Sequence, residues 1–207
     1  MKIIGITGSV ACGKSTVLNM LAQKKYAVYN CDDISRMIFE KKQDEICKEL
    51  GDEILENGKV SRYKVKKIIF RDDCARKKIE KIIHPDIYRY LLWELFICFL
   101  TNRSVVFIEI QLFYELNLQK YIDSVLVYCD ERTQKERIAK RDGSELVNDS
   151  LKVQFPIEEK KKMATWVIDN TKSIEETKKV IDEMVFGGTG IVTYIFLIFI
   201  LFLLFKI

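Results

Sequence analysis

A glycine-framed octapeptide near the start constrains this chain more than any other feature. Gly8-Ser-Val-Ala-Cys-Gly13-Lys14-Ser15 fits the pattern G-x-x-x-x-G-K-[ST], and it stands between an apolar run and a helical one. Lys2 to Thr7 reads as a short buried strand, and Lys14 to Gln23 carries Val17, Met20 and Leu21 at helical spacing. In that order the glycines let the backbone curl so that successive N–H groups point at phosphate oxygens, and the helix N-terminus adds partial positive charge. Lys14 supplies a cation for the β- and γ-phosphates, the Ser15 hydroxyl is a ligand for Mg²⁺, and Thr16 stands one residue into the helix near the α-phosphate. Gly8, Ala11, Cys12, Gly13, Lys14, Ser15 and Thr16 are therefore the candidate residues for binding a nucleoside triphosphate.

The strand and helix signals alternate onward. Ala27 to Asn30 predicts a second strand and Asp32 to Phe39 a second helix. Gln43 to Arg103 is Lys-rich and helical in pattern, interrupted at Asn57-Gly58 and at Pro85, so a helical insertion over about 40–102 is expected. Ser104 to Ile110 and Ser124 to Tyr128 are rich in β-branched and aromatic residues, as central strands buried on both faces require. Thr133 to Arg141 and Glu158 to Ala164 read as helices around a polar stretch, Trp166 to Ile168 as a last strand, and Ser173 to Glu176 as a capping box opening a final helix. Alternating β and α elements predict an α/β fold in three layers, a parallel five-stranded sheet between helices.

Composition narrows the function classes. With 34 Lys+Arg against 30 Asp+Glu the net charge is only +4, too small an excess to argue for nucleic acid. Six cysteines at 12, 31, 47, 74, 98 and 129 form no C-x-x-C pair, and the single histidine, His84, stands apart from them, so neither a zinc site nor a disulfide framework is expected. Scattered thiols fit a reducing, cytoplasmic setting, and the apolar run at the N-terminus is too short for a secretion signal. A GTP switch needs D-x-x-G and N-K-x-D, and neither occurs. A small-molecule kinase instead needs a carboxylate to take the acceptor hydroxyl's proton, usually at the end of the strand after the phosphate loop. Asp32 stands there, although Asp32 and Asp33 read equally well as acids placed to match a helix dipole.

Further segments, taken in order, resemble the dephospho-CoA kinase family of phosphate-loop kinases. Ile4-Gly-Ile-Thr-Gly8 leading into Gly13-Lys-Ser-Thr16 is similar to the family's opening. Asn30-Cys-Asp32 stands where the family has Asp-Ala-Asp, and Ile34-Ser-Arg36 follows. Ile83-His84-Pro85, Glu109-Ile-Gln-Leu-Phe-Tyr-Glu115, Gln134 with Arg137 and Arg141-Asp142-Gly143, Gln154-Phe-Pro-Ile-Glu-Glu-Lys160 and Val167-Ile-Asp-Asn170 resemble the later motifs. The resemblance implies ATP with Mg²⁺ and transfer of the γ-phosphoryl to the ribose 3′-hydroxyl of dephospho-CoA. It implies Asp32 as the proton acceptor, Arg141 and Arg137 closing over the phosphates from a lid at about 142–154, and Asn170 near the adenine, where its amide reads a base edge. For Arg137 a solvated helix face, and for Asn170 a plain turn, are the competing readings; His84 is read as structural or substrate-positioning, and Lys160 to Lys162 as a solvated face.

Three departures qualify this. Asn30 replaces the first acid, Gln111 a proline, and Ala11-Cys12 a small Gly-Ser pair, which places an oxidisable thiol at the phosphate loop. The stretch Ser144 to Val153 is short and has no arginine, which together with Asn30 motivates one alternative, a tethered ATP-binding module with impaired catalysis; another is a kinase for a different nucleoside or metabolite, since the acceptor pocket is the part least legible in a sequence. Finally, Met184 to Phe205 is a run of 22 residues without a charge. At ~1.5 Å per residue it would span about 33 Å as a helix, enough to cross a bilayer. The expectation is a head at 1–185 and a transmembrane tail at 186–207 that anchors it to an intracellular membrane, with Gly187, Gly188 and Gly190 as the joint.

Overall fold

The computed structural model describes residues 1–142, apart from the side chains of 140–142, and residues 155–187. The lid expected at 142–154 and nearly all of the apolar tail lie outside the described residues. Among the described residues no helix is long and apolar enough to cross a membrane.

The described residues divide into two compact units, the first built from 1–30, 97–142 and 155–187, the second from 31–96. In the first, β1 (Lys2–Thr7), β2 (Ala27–Asn30), β5 (Val105–Glu109), β6 (Asp123–Tyr128) and β7 (Trp166–Asp169) form one sheet in the order β2-β5-β1-β6-β7. Every neighbouring pair is parallel, with Ile4 beside Phe107 on one side and Asp123 on the other. All five residues of β5 are buried, as the unbroken apolar run of a central parallel strand requires. The order reverses around β1, and in such sheets ligands bind beyond the carboxyl ends of the strands at the reversal. The loop after β1 starts there.

Helices α1 (Lys14–Gln23) and α8 (Ile174–Glu183) cover one face. Val17, Leu18 and Leu21 from α1 and Ile181 from α8 join Ile4, Ile6, Phe107, Val125 and Ile168 in one apolar cluster. Phe186, which the sequence reading placed at the start of the tail, completes this core, its ring edge-on to Phe107 at 4.9 Å, Trp166 at 5.3 Å and Tyr26 at 6.0 Å. The expected capping box is present, with the Ser173 hydroxyl accepting from the Glu176 N–H and the Glu176 carboxylate accepting from the Ser173 N–H. Helices α6 (Glu131–Asp142) and α7 (Ile157–Met163) complete the described part of this unit.

The second unit holds α2 (Cys31–Lys41), α3 (Gln43–Leu50), α4 (Arg62–Ile69) and most of α5 (Asp73–Leu100). Two expectations are corrected in it. Asn57-Gly58 does more than interrupt helices: it turns a small antiparallel hairpin, β3 (Leu55–Glu56) with β4 (Lys59–Val60). Both turn residues have positive φ, 51° and 75°, the geometry that two-residue hairpins favour, and strands this short carry no readable periodicity. Pro85 does not break its helix. It withholds one N–H from the carbonyl four residues back, yet α5 runs 28 residues through it, held on either side by the buried Ile79, Ile83, Leu91 and Leu95.

Candidate active site

The phosphate loop is shaped by close approaches that exclude side chains. A Cβ at Gly8 would collide with the Val127 carbonyl oxygen, and one at Gly13 with the Asn170 side-chain amide. Gly13 also has φ 85°, in the left-handed region, and from there α1 starts, with the Thr16 and Val17 N–H groups turned back to the Gly13 carbonyl. No side chain caps this helix start. Lys14 is nearly buried, its ammonium donating to the carbonyls of Gly8 at 3.0 Å and Ser9 at 3.1 Å. It lies 3.9 Å from Glu109, the buried last residue of β5, whose other oxygen accepts from the Asn30 amide at 2.7 Å. Asn30, which takes the place of an acid, thus meets Glu109 as a donor where a second carboxylate would repel it.

The far wall comes from β7 and α6. Asn170 is buried; its N–H donates to Tyr128 at 2.8 Å, its side-chain nitrogen to the Cys12 carbonyl at 2.8 Å, and its side-chain oxygen accepts from Thr177 at 3.0 Å. With its amide bonded at both ends, Asn170 braces the loop from the β7 side. Arg137 donates one nitrogen to the Asn170 carbonyl at 3.0 Å, while its other terminal nitrogen is buried with no hydrogen-bond partner among the described residues. Gln134 donates to the Val10 carbonyl at 2.8 Å. Three side chains distant in sequence therefore converge on the loop.

A cavity of about 330 Å³ opens beside it, lined among others by Ser9, Cys12, Cys129, Gln134 and Phe155. The Cys129 thiol donates to the Cys12 sulfur at 3.4 Å. That bond lowers the Cys12 thiol to about 7 against the opposition of burial, with Lys14 and Arg137 adding to the effect; the same bond and burial push the Cys129 thiol up. Another buried contact corrects the reading of Lys160 as a solvated face: it is fully buried and ion-paired with Glu115 at 3.0 Å. Glu115 also accepts from the Phe155 N–H at 3.0 Å. Burial works to raise the Glu115 carboxyl, but the backbone hydrogen bonds and Lys160 outweigh it and hold it below the ordinary carboxylate value.

Comparison with known proteins decides the family. The family model described as dephospho-CoA kinase matches residues 2–176. The chain belongs to the dephospho-CoA kinase family. A dephospho-CoA kinase of Oceanobacillus iheyensis is 37% identical over 189 residues, covering 88% of this chain and 95% of that protein. One of Listeria innocua is 37% identical over 185 residues, covering 86% and 92%. Among solved structures, a Thermus thermophilus protein at 32% identity superposes with a TM-score of 0.75 over 89% of this chain and 98% of its own. A dephospho-CoA kinase of Campylobacter jejuni does so with a TM-score of 0.60 at 28% identity, over 88% and 96%.

Not every residue expected to serve a dephospho-CoA kinase gathers at the loop. Gly8, Cys12, Gly13, Lys14, Arg137 and Asn170 do, and Ala11 sits within the loop at φ 60°. Ser15 is exposed and Thr16 half-buried in the first turn of α1. Asp32 is exposed in the first turn of α2, two residues after Asn30, and belongs to the second unit. Arg141 lies in α6, its side chain outside the described residues. His84 is exposed, its ring 5.8 Å from that of Tyr88 one turn on. Glu109, Gln134 and Thr177 were missed as supports of the loop; only the quoted motif around Glu109 and the place of Gln134 on its helix pointed to them.

Proposed function

We propose that the chain transfers the γ-phosphoryl group of ATP to the ribose 3′-hydroxyl of dephospho-CoA, forming coenzyme A and ADP. The observation that carries this reading is the glycine cradle around the nearly buried Lys14, in a chain of this family. The cradle fits a nucleotide: side chains are excluded at Gly8 and Gly13, and a guanidinium nitrogen of Arg137 beside Gly13 is buried without a partner among the described residues. The loop N–H groups and Lys14 hold the β- and γ-phosphates, Lys14 exchanging its present bonds to loop carbonyls for phosphate oxygens. Arg137, and Arg141 from the lid side, offset charge on the transferred group. The hydroxyl of Ser15 is a hard oxygen donor of the type Mg²⁺ takes, and the ion, when bound, neutralises charge between the β- and γ-phosphates. Asp32 receives the proton of the 3′-hydroxyl as its oxygen attacks phosphorus. Its support is its place in the first turn of α2, just after β2, and its match to the family's acidic segment.

The test is formation of coenzyme A by the full chain with Mg-ATP, alongside nucleosides as competing acceptors. Turnover with dephospho-CoA alone, falling about 10²- to 10⁴-fold in Asp32→Asn, supports the reading. ATP binding without coenzyme A would refute it. The impaired-module alternative is not favoured, because Asn30 is a working donor to Glu109 rather than a missing acid. We also propose that the uncharged tail holds the protein at an intracellular membrane with the enzyme on the cytoplasmic side. Vesicle flotation of the full chain, lost on truncation after Gly187, supports this; equal flotation of both refutes it.

A further inference from the structure

Cys12 lies in the phosphate loop and Cys129 just past the end of β6, yet their sulfurs are 3.4 Å apart. Both are nearly buried, and both residues line the cavity of about 330 Å³, the route by which a small solute would approach the pair. We propose that Cys12 and Cys129 form a dithiol modification site, where a low-molecular-weight disulfide is reduced and the phosphate loop is locked by an internal bond.

The geometry suits the two-step exchange. The Cys12 thiolate attacks one sulfur of the disulfide, forming a mixed disulfide and releasing one thiolate. Cys129, its proton passing to that thiolate, then attacks the Cys12 sulfur and expels the second thiolate. Two protein thiols are oxidised and one disulfide yields two small thiols, so atoms and electrons balance. Cys12 is the entering nucleophile because its neighbours favour the thiolate: Cys129 donates to it, and Lys14 and Arg137 stand near. Closing the bond to about 2.05 Å takes up about 1.3 Å. That displacement falls on a segment with little slack, since the Cys12 carbonyl is held by Asn170 and the next residue begins the turn into α1. A misplacement of about 1 Å in such a site costs about 10²-fold in rate. Cys74, exposed on α5, is the natural control.

The proposal rests on the nucleotide-binding reading of the loop, and the experiment separates the two. The reduced full chain is freed of reductant, treated with oxidised glutathione, and mapped by mass spectrometry of non-reduced peptides. Binding of a fluorescent ATP analogue and coenzyme A formation are followed in parallel. A peptide cross-linked at Cys12 and Cys129 is expected, with about 10²-fold loss of transfer, weakened analogue binding, and recovery in dithiothreitol. Mg-ATP added first slows the cross-link. Cys129→Ser stops at a glutathione adduct on Cys12, and Cys74→Ser keeps the full response, each compared with its own reduced form. Modification confined to Cys31, Cys47 or Cys74, or a Cys12–Cys129 bond that leaves analogue binding unchanged, overturns the proposal. Analogue binding that responds to oxidation in a protein making no coenzyme A supports it and refutes only the choice of acceptor.

Discussion

The phosphate loop and the helical unit at 31–96 are stabilised in opposite ways. Around the loop the side-chain contacts that tie it to the rest of the unit are long-range and at least partly buried: Asn170 reaches Cys12, Gln134 reaches Val10, and Lys14 faces Glu109. In the helical unit ion pairs such as Lys78 with Glu49 and Arg76 with Glu80 lie at the surface. Water can replace a surface partner, but nothing replaces a buried one, so the two regions should tolerate substitution very differently.

The sharpest way to break the comparison is Lys14→Ala. It should cost about 10³-fold in coenzyme A formation, because removing one preorganised cation acts on the transition state, and it should also lower the melting temperature, because the buried Glu109 loses a neighbouring cation. Next is Lys160→Ala, which strands the Glu115 carboxylate in the interior and should destabilise by about 3–5 kcal/mol in denaturant titrations. Since Glu115 is held below its ordinary value, its contribution is present above the unfolded carboxylate range and is lost as pH falls through the depressed value. The gap in stability between the parent and Glu115→Gln should therefore close on acidification; a constant gap would show that the charge plays no part.

A smaller effect is expected from Asn170→Ala, which leaves the Cys12 carbonyl and the Thr177 hydroxyl without this partner. A loss of about 1–3 kcal/mol in stability, with weaker ATP binding by calorimetry, would place Asn170 as a brace. Unchanged ATP affinity would contradict that. At the bottom of the scale, Lys78→Ala should leave turnover and melting temperature unaltered, because its pair with Glu49 is exposed. A measurable loss there would erase the contrast between the regions.

Legibility in the sequence followed the range of the interactions. Lys2–Thr7 and Lys14–Gln23 were readable to the residue because an apolar run, a glycine turn and helical spacing are local. The hairpin at Asn57-Gly58 was half-readable: the turn shows, but two-residue strands leave no pattern. Lys160 was misread because Lys160, Lys161 and Lys162 look alike in a row, and only packing against Glu115 singles out the first. Phe186 was assigned to the tail for a related reason: an apolar residue before an apolar run carries no mark that its partners are Tyr26, Phe107 and Trp166.

By itself the sequence determined the alternation of strands and helices, the phosphate loop with Lys14 and Ser15, and the family. These rest on spacing along the chain, where backbone geometry ties neighbours together. Tertiary structure alone decided that Asn170 braces the loop, that Glu109 and Asn30 meet, that Lys160 is buried, and that Cys12 and Cys129 touch. Each of these joins positions far apart in the chain, and such a contact exists only once the sheet has brought β1, β5, β6 and β7 side by side.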